Sequence, residues 1–352
     1  MANLSYHENV DKKNINKLRE LGSELPSYCR EFFRGIEPRT GSRTRIAYAY
    51  DLKVFFKYLL NNNPYLKKKY SDISEISLTD LDRLKVPDFE EFMEYLKYRE
   101  EEDKELLNKD LSIKRKISCL KSFFKYFYKL ERLENNYISR VGLPKLHQKE
   151  IVRLDIDEVA LLLDEAENGD MLTDKQKAYH EKTKNRDLAL LSLMLGTGIR
   201  VSECVGLNLT DVDFKNNGIR IHRKGGNEVT VYFSDEVCDT LNIYMEERKT
   251  LIPIEGHEDA LFLSMQMRRI SVKSVENLVK KYASLISPLK RITPHKLRST
   301  YGTNLYRETG DIYLVADVLG HSDVNTTKKH YAAIEDDRRK RARNVVKLRQ
   351  EL

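Results

Sequence analysis

The sequence predicts a mainly α-helical protein of two domains, with one small antiparallel sheet in the second half of the chain. Three observations support this expectation. The chain has 352 residues, more than the roughly 100 to 200 residues of a typical domain. Apolar residues recur at intervals of three or four along most of it, the spacing of amphipathic helices. That spacing gives way to short runs separated by turn residues only between residues 212 and 233, where we expect the sheet.

The composition excludes several protein classes. Hydrophobic residues make up 40% of the chain and charged residues 33%, so it is neither collagen-like nor wholly disordered. No run approaches the roughly 20 apolar residues that span a bilayer, and we expect a soluble, cytoplasmic protein without membrane insertion. The four cysteines form no CxxC pair, so we expect buried thiols rather than disulfides or a metal site.

The first half is predicted to consist of helices joined by polar loops. A segment with Gly142, Pro144 and no periodicity, residues 139–150, is the predicted linker. The domains are therefore expected at residues 1–138 and 151–352. The predicted helices cover residues 14–33, 42–60, 87–98 and 112–130, with Lys67–Lys69 in a loop.

The second half begins with helical patterns and a polar, charged interruption at residues 169–185. Strands are predicted at 212–214, 218–222 and 228–233, because Asn217-Gly218 and Gly225-Gly226 supply turns between them. The predicted helices of this half cover residues 155–165, 187–195, 201–205, 235–248, 271–285, 293–309, 311–319, 325–331 and 336–352.

Positive charge is concentrated in two segments. The net charge is only +7, but residues 112–129 contain six Lys or Arg and no acid, and residues 264–307 contain ten with Glu276 as the one acid. Such local basic surfaces favour a polyanionic partner. A solvated basic face explains either segment equally well.

Five short islands in the second half contain chemically active side chains. Each alone has an ordinary explanation, such as a surface ion pair or a helix cap. Together, two Arg, one Lys, two His and one Tyr supply anion donors, a proton shuttle and a nucleophile suited to a phosphate. The islands are Gly196–Glu203, His222–Gly226, Thr293–Arg298, Leu319–Ser322 and Thr326–Tyr331.

In this order, the islands resemble the tyrosine recombinase (lambda-integrase-like) family. The pattern consists of an Arg after a T-G-x-R-x-S-E turn, a Lys in a hairpin, H-x-x-R, L-G-H and a later Tyr. The chain is most similar to the single-protein Xer recombinases (XerS type) in its length, its T-P-H-K-L-R motif and the polar insert before Arg200. The resemblance implies a helical, SAM-like core-binding domain followed by a catalytic domain. The catalytic residues that it implies are Arg200, Lys224, His295, Arg298, His321 and Tyr331.

The resemblance also implies a division of chemical roles. Arg200 and Arg298 would hold the non-bridging phosphate oxygens, as guanidiniums do in bidentate fashion. Tyr331 would attack phosphorus, with His295 as its base, while Lys224 protonates the leaving 5′-oxygen. His321 would bind the phosphate. Glu203 would orient the pocket, although a plain helix ion pair is nearly as good an explanation.

The family forms a covalent 3′-phosphotyrosine, so ligation needs neither ATP nor a metal, and we expect no cofactor. The expected partner is a duplex DNA recombination site, bound by a dimer and recombined in a tetramer. Segment 335–352 would dock on a neighbouring protomer or, equally, on its own domain. The expected phosphate contacts are Arg43, Arg45, Lys114, Lys121, Lys125, Lys273, Lys280, Lys281 and Arg291.

Several alternatives remain open at this stage. The biological role would be chromosome-dimer resolution, which links the protein to chromosome partition and cell division, or integration and excision of a mobile element. A type IB topoisomerase uses the same pocket chemistry, and a non-catalytic DNA-binding protein could retain a decayed pocket. Tyr301, Tyr306 and Tyr313 are rival nucleophiles by proximity, and we interpret them as core aromatics.

Overall fold

A computed structural model of the chain describes residues 5–101, 104–145, 152–223, 227–320 and 324. The chain divides into two compact units, Met1–Lys149 and Glu150–Leu352. The predicted fold class is confirmed, because both units are mainly helical and the second contains a three-stranded antiparallel sheet. In the described ranges, no helix combines the length and apolar character needed to cross a membrane.

The first unit surrounds an aromatic core. Phe32, Phe55, Phe92, Phe123 and Phe127 are fully buried and contact one another or neighbouring rings edge-on. Edge-to-face packing of this kind adds about 0.5–1.5 kcal/mol per pair beyond burial. The elements are α1 (Tyr6–Ser23), α2 (Tyr28–Gly35), α3 (Ser42–Asn62), α4 (Pro64–Lys69), α5 (Leu78–Leu81), α6 (Val86–Lys97), β1 (Tyr98–Glu101), β2 (Lys104–Leu107) and α7 (Asp110–Lys129).

Three local features of this unit differ from the sequence prediction. The helix expected over residues 14–33 is two helices, α1 and α2, because Pro26 lies between them and lacks the N–H that a continuous helix needs. The Lys67–Lys69 loop is helical, because Pro64 occupies the first turn and Asn63 caps it. The β1–β2 hairpin was not predicted, since its charged sequence shows no alternation.

Helix α7 is amphipathic as predicted, with Ile117 and Phe124 among its buried residues. Its basic face is partly used within the unit. The fully buried carboxylate of Asp51, on α3, accepts hydrogen bonds from Arg115 (2.7 Å) and Lys116 (3.0 Å). Burial raises the pKa of Asp51, and the two cations oppose that shift. Losing one partner of such a buried group leaves uncompensated charge, so this cluster ties α3 to α7.

The second unit packs helices around a small sheet. The strands β3 (Val212–Asp213), β4 (Gly218–His222) and β5 (Glu228–Tyr232) run in the order β3-β4-β5, with Ile219 opposite Val231, and confirm the predicted sheet. The helices are α8 (Ile156–Asn168), α9 (Asp174–His180), α10 (Lys184–Thr197), α11 (Val201–Gly206), α12 (Asp235–Thr250), α13 (Val272–Ile286), α14 (Pro294–Thr309) and α15 (Ile312–Leu319).

The polar interruption at residues 169–185 contains a helix that was not predicted, α9. Thr173 and Gln176 form a capping box at its start. At its end, Nδ1 of the buried His180 lies 3.1 Å from the Tyr282 hydroxyl, which donates to Asp187 over 3.1 Å. A charged sequence without apolar periodicity is therefore ordered by a local capping box at the start of α9 and by tertiary contacts at its end.

Candidate active site

Arg200 follows a sharp turn at the end of α10. Gly198 ends that helix with φ of +63°, a conformation that side chains with a Cβ disfavour. A Cβ at this position would also overlap the Tyr301 ring and lie 2.9 Å from Cδ2 of Leu319. Glycine is thus required both by the backbone conformation and by the close approach of α14 and α15.

Glu203 fixes Arg200 at the start of α11. Its carboxylate accepts the backbone N–H of Arg200 over 2.7 Å and Nη1 of the same residue over 2.8 Å. The Glu203 side chain is only 4% exposed, whereas that of Arg200 is 36% exposed. The acid is therefore a buried anchor for a guanidinium that still reaches solvent.

Arg298 is the buried member of the arginine pair. It lies one turn inside α14, which begins at Pro294, and its Nη1 donates to the carbonyl oxygen of Gly198 over 2.6 Å. Its Nη2 donates to the carbonyl oxygen of Leu319. Arg298 thereby joins the turn before Arg200 to the end of α15.

The two arginines meet at the C-terminal end of α15. Arg298 binds the carbonyl of Leu319 and Arg200 binds the next carbonyl, that of Gly320, over 3.3 Å. The last carbonyls of a helix lack partners within the helix and carry partial negative charge, which cations stabilise. A guanidinium has five N–H donors, so binding carbonyls does not prevent it from binding an oxyanion.

The remaining predicted catalytic residues are placed only in part. His295 is exposed in the first turn of α14, three residues before Arg298. Lys224, His321 and Tyr331 lie outside the described residues, as do the helix predicted at 325–331 and the C-terminal segment 335–352. Their roles, like those of the other site residues, stay predictions.

Sequence reasoning missed a third arginine at the same helix end. Arg223, the residue before Lys224, donates to the carbonyl oxygens of Asp317 (3.2 Å) and Val318 (2.7 Å). Its local sequence, a strand followed by a basic turn, contains no signal for this contact. The helix end that it reaches lies 94 and 95 positions away along the chain.

The rival nucleophiles occupy different environments. Tyr306 is buried and Tyr301 packs beside it, as expected for core aromatics, and burial raises the pKa of Tyr301. Tyr313 is 71% exposed, so its interpretation as a core aromatic was wrong. It lies on the first turn of α15, whose buried residues are Val315, Ala316 and Leu319.

The cysteine beside the arginine pair is buried. Cys204, next to Glu203, is fully buried, and burial raises its pKa to about 12, which suppresses the nucleophilic thiolate. Cys29 and Cys119 are buried as predicted, while Cys238 is partly exposed. In the part of the chain that the structure describes, no cluster of three or more His, Cys, Asp or Glu could hold a metal ion.

The basic residues predicted to contact DNA differ in their surroundings. In the first unit, Arg43 and Lys125 are exposed and Lys114 is half-buried. Arg45 is buried and paired with Glu37 at 2.7 Å, and Lys121 donates to the carbonyl oxygen of Val141 over 2.7 Å.

In the second unit, Lys273, Lys280 and Arg291 are exposed. The ammonium of Lys281 instead lies 3.9 Å from the centroid of the Tyr282 ring and 3.5 Å from Asp187. Burial lowers the pKa of Lys281, and Asp187 opposes that shift. The cations of Arg45, Lys121 and Lys281 are therefore engaged within their own units.

Comparison with known proteins identifies relatives of this chain. The model of the phage integrase family matches residues 152–338. The chain is 32% identical to the tyrosine recombinase XerC of Caldanaerobacter subterraneus subsp. tengcongensis, over 97% of this chain and 92% of that protein. It is 30% identical to the tyrosine recombinase XerS of Streptococcus equi subsp. zooepidemicus, over 92% of this chain and 97% of that protein.

Solved structures share the fold. One is the XerH site-specific recombinase bound to its difH substrate in a pre-cleavage complex, with a TM-score of 0.61, 18% identity, and coverage of 90% of this chain and 84% of that one. Another is a lambda integrase dimer bound to a core site, with a TM-score of 0.58, 16% identity, and coverage of 86% and 94%.

Proposed function

The chain belongs to the phage integrase family of tyrosine recombinases, and we propose that Arg200 and Arg298 hold the phosphate at which it exchanges DNA strands. As a member of this family, it is a DNA strand-exchange recombinase. The observation that carries the assignment of residues is the convergence of the two guanidiniums on the consecutive carbonyls of Leu319 and Gly320. His321 is the next residue along the chain.

The proposed reaction is a transesterification. The phenolic oxygen of Tyr331 bonds to phosphorus while the bond from phosphorus to the 5′-oxygen breaks. His295 accepts the phenolic proton, and Lys224 gives a proton to the departing 5′-oxygen. The ester bond passes to the tyrosine instead of to water, so the reverse attack by a 5′-hydroxyl rejoins DNA without a nucleotide cofactor.

Charge stabilisation is the task of the two arginines. Negative charge builds on the non-bridging oxygens as the fifth bond to phosphorus forms, and donors that are already oriented stabilise it without reorganisation. Arg298 is held by two backbone carbonyls and Arg200 by Glu203 and Gly320. We propose Glu203 as the residue that positions Arg200.

The proposed partner is a duplex DNA recombination site, which the DNA complexes of XerH and lambda integrase support. Exposed Arg43, Lys125, Lys273, Lys280 and Arg291 are the best placed of the predicted contacts to reach phosphates. We propose that a dimer binds each site and that two such sites are recombined within a tetramer.

A nicked suicide substrate tests the nucleophile. In this DNA, cleavage releases a short fragment, so the covalent protein–DNA adduct accumulates. Tyr331→Phe removes only the attacking oxygen and is expected to bind DNA normally and form no adduct. An adduct at the wild-type rate with Tyr331→Phe would refute the assignment, and Tyr313→Phe, an exposed tyrosine outside the motif, is the matched control.

We propose chromosome-dimer resolution as the biological role, because the chain resembles XerC and XerS over more than nine-tenths of its length. Mapping covalent adducts across the genome tests this role. A single chromosomal site is the expected result. Adducts confined to the two ends of a mobile element would instead assign the protein to integration and excision of that element.

A further inference from the structure

Arg223 connects the sheet to the helix end where the arginine pair lies. It directly follows β4, and its backbone N–H donates to the carbonyl oxygen of Asn227 over 2.8 Å, which closes the base of the hairpin. Its guanidinium extends to α15 and binds the carbonyl oxygens of Asp317 and Val318. The hairpin is therefore attached to α15 at the point where the hairpin turn begins.

Gly320 makes room for this contact. Its φ is +62°, and a Cβ at this position would overlap Nη1 and Cζ of Arg223. The glycine that ends α15 thus serves both the left-handed backbone conformation and the approach of the Arg223 guanidinium.

Three arginines bind four consecutive carbonyls at the end of α15. Arg223 donates to the carbonyl oxygens of Asp317 and Val318. Arg298 donates to the carbonyl oxygen of Leu319, and Arg200 donates to that of Gly320. The three side chains come from the hairpin, α14 and the turn before α11, so one helix end holds all three elements together. A guanidinium suits this task, because its planar fork reaches two acceptors at once and an ammonium is a single point charge.

We propose that Arg223 is a positioning residue for cleavage, which acts by attaching the hairpin to the end of α15 beside Arg200 and Arg298. The inference rests on the proposed role of Lys224 as the acid for the leaving 5′-oxygen. Lys224 is the next residue after Arg223 and is joined to it by a peptide bond. Fixing Arg223 therefore restricts the backbone position from which Lys224 would have to act as the acid.

A sulfur substitution in the DNA separates this role from a merely structural one. When sulfur replaces the bridging 5′-oxygen, the leaving group is a thiolate, and a thiol ionises near pH 8.5, so it departs without an acid. A defect that acts through leaving-group protonation should disappear with sulfur, and a defect in folding or DNA binding should remain.

The experiment measures the single-turnover rate of adduct formation on matched nicked substrates with 5′-oxygen or 5′-sulfur. Arg223→Ala is expected to slow cleavage at least tenfold with oxygen and to come within threefold of wild type with sulfur, because general acids contribute roughly 10²–10⁴ in rate. Arg223→Gln keeps an amide group that can donate to a carbonyl oxygen. It should slow cleavage less than Arg223→Ala with oxygen and should likewise recover with sulfur. Either variant measured alone is sufficient if the other does not fold.

Arg220→Ala is the matched control. It removes the same charge from β4, three residues before Arg223, but Arg220 is 52% exposed and pairs with Asp211 instead of α15. It should match wild type with both substrates. Equal slowing of the Arg223 variants on oxygen and sulfur, or no slowing at all, would overturn the inference.

Lys224→Ala distinguishes failure of the inference from failure of its premise. If sulfur restores Lys224→Ala but does not restore the Arg223 variants, Arg223 does not act through the acid and the proposed function stands. If sulfur restores neither, Lys224 is not the acid and the premise itself is wrong. Recovery of both with sulfur is the expected result.

Discussion

Arg298 and Gly198 are joined by a hydrogen bond of 2.6 Å from Nη1 to the carbonyl oxygen, although 100 positions separate them in the chain. The donor lies in α14 and the acceptor in the turn that leads to Arg200. This bond sets the position of one arginine of the pair relative to the other. The geometry of the pair consequently depends on the turn as well as on the two side chains.

The first prediction concerns the arginine pair. Arg200→Lys and Arg298→Lys each keep the positive charge but lose the planar fork, so each should lower the rate of adduct formation about 10²–10³-fold, the usual effect of losing one preorganised donor. The measurement is single-turnover cleavage of the nicked substrate, with the thermal midpoint as a check on folding. Arg220→Lys is the control, and a wild-type rate in either of the pair variants would exclude that residue from the charge-stabilising role.

The second prediction concerns Glu203, which binds both the backbone N–H and the guanidinium of Arg200. Glu203→Gln retains an acceptor oxygen and should cleave at an intermediate rate. Glu203→Ala should lower the rate of adduct formation about tenfold, because a buried group left without its hydrogen-bond partner costs roughly 1–3 kcal/mol. A faster rate for Glu203→Gln than for Glu203→Ala distinguishes positioning from loss of packing. Identical rates for the two variants at equal thermal midpoints would contradict the positioning role of Glu203.

The third prediction concerns the turn at Gly198. Gly198→Ala introduces both a left-handed alanine and an overlap with Tyr301, so it should destabilise the protein by about 2–5 kcal/mol. Gly256→Ala is the matched control, since Gly256 has φ of +81° and no neighbour within 4 Å of an added Cβ. That variant should lose only about 1–2 kcal/mol from backbone strain. Denaturant unfolding measures both, and equal losses would show that the Tyr301 contact adds nothing.

Much of the fold could be predicted because its signals are local. The apolar face of α7, the three strands of the sheet and the Gly198 turn each follow from residues within one or two turns of chain. Helix α9 and the β1–β2 hairpin were not predicted, because their charged sequences carry no periodicity, although the capping box of Thr173 and Gln176 is a local signal for the start of α9. The break between α1 and α2 could have been predicted, because Pro26 disfavours a continuous helix and is visible in the sequence.

The sequence by itself determined the helical class, the sheet and the order of the reactive side chains, since these depend on residue type and near-neighbour spacing. Only the tertiary structure decided which cations are engaged internally, as Arg45 and Lys281 are, and that Arg200, Arg223 and Arg298 bind one helix end. The physical reason is distance along the chain. Each of these guanidinium contacts with α15 joins residues 21 to 120 positions apart, and no local pattern specifies which carbonyl a long side chain will reach after folding.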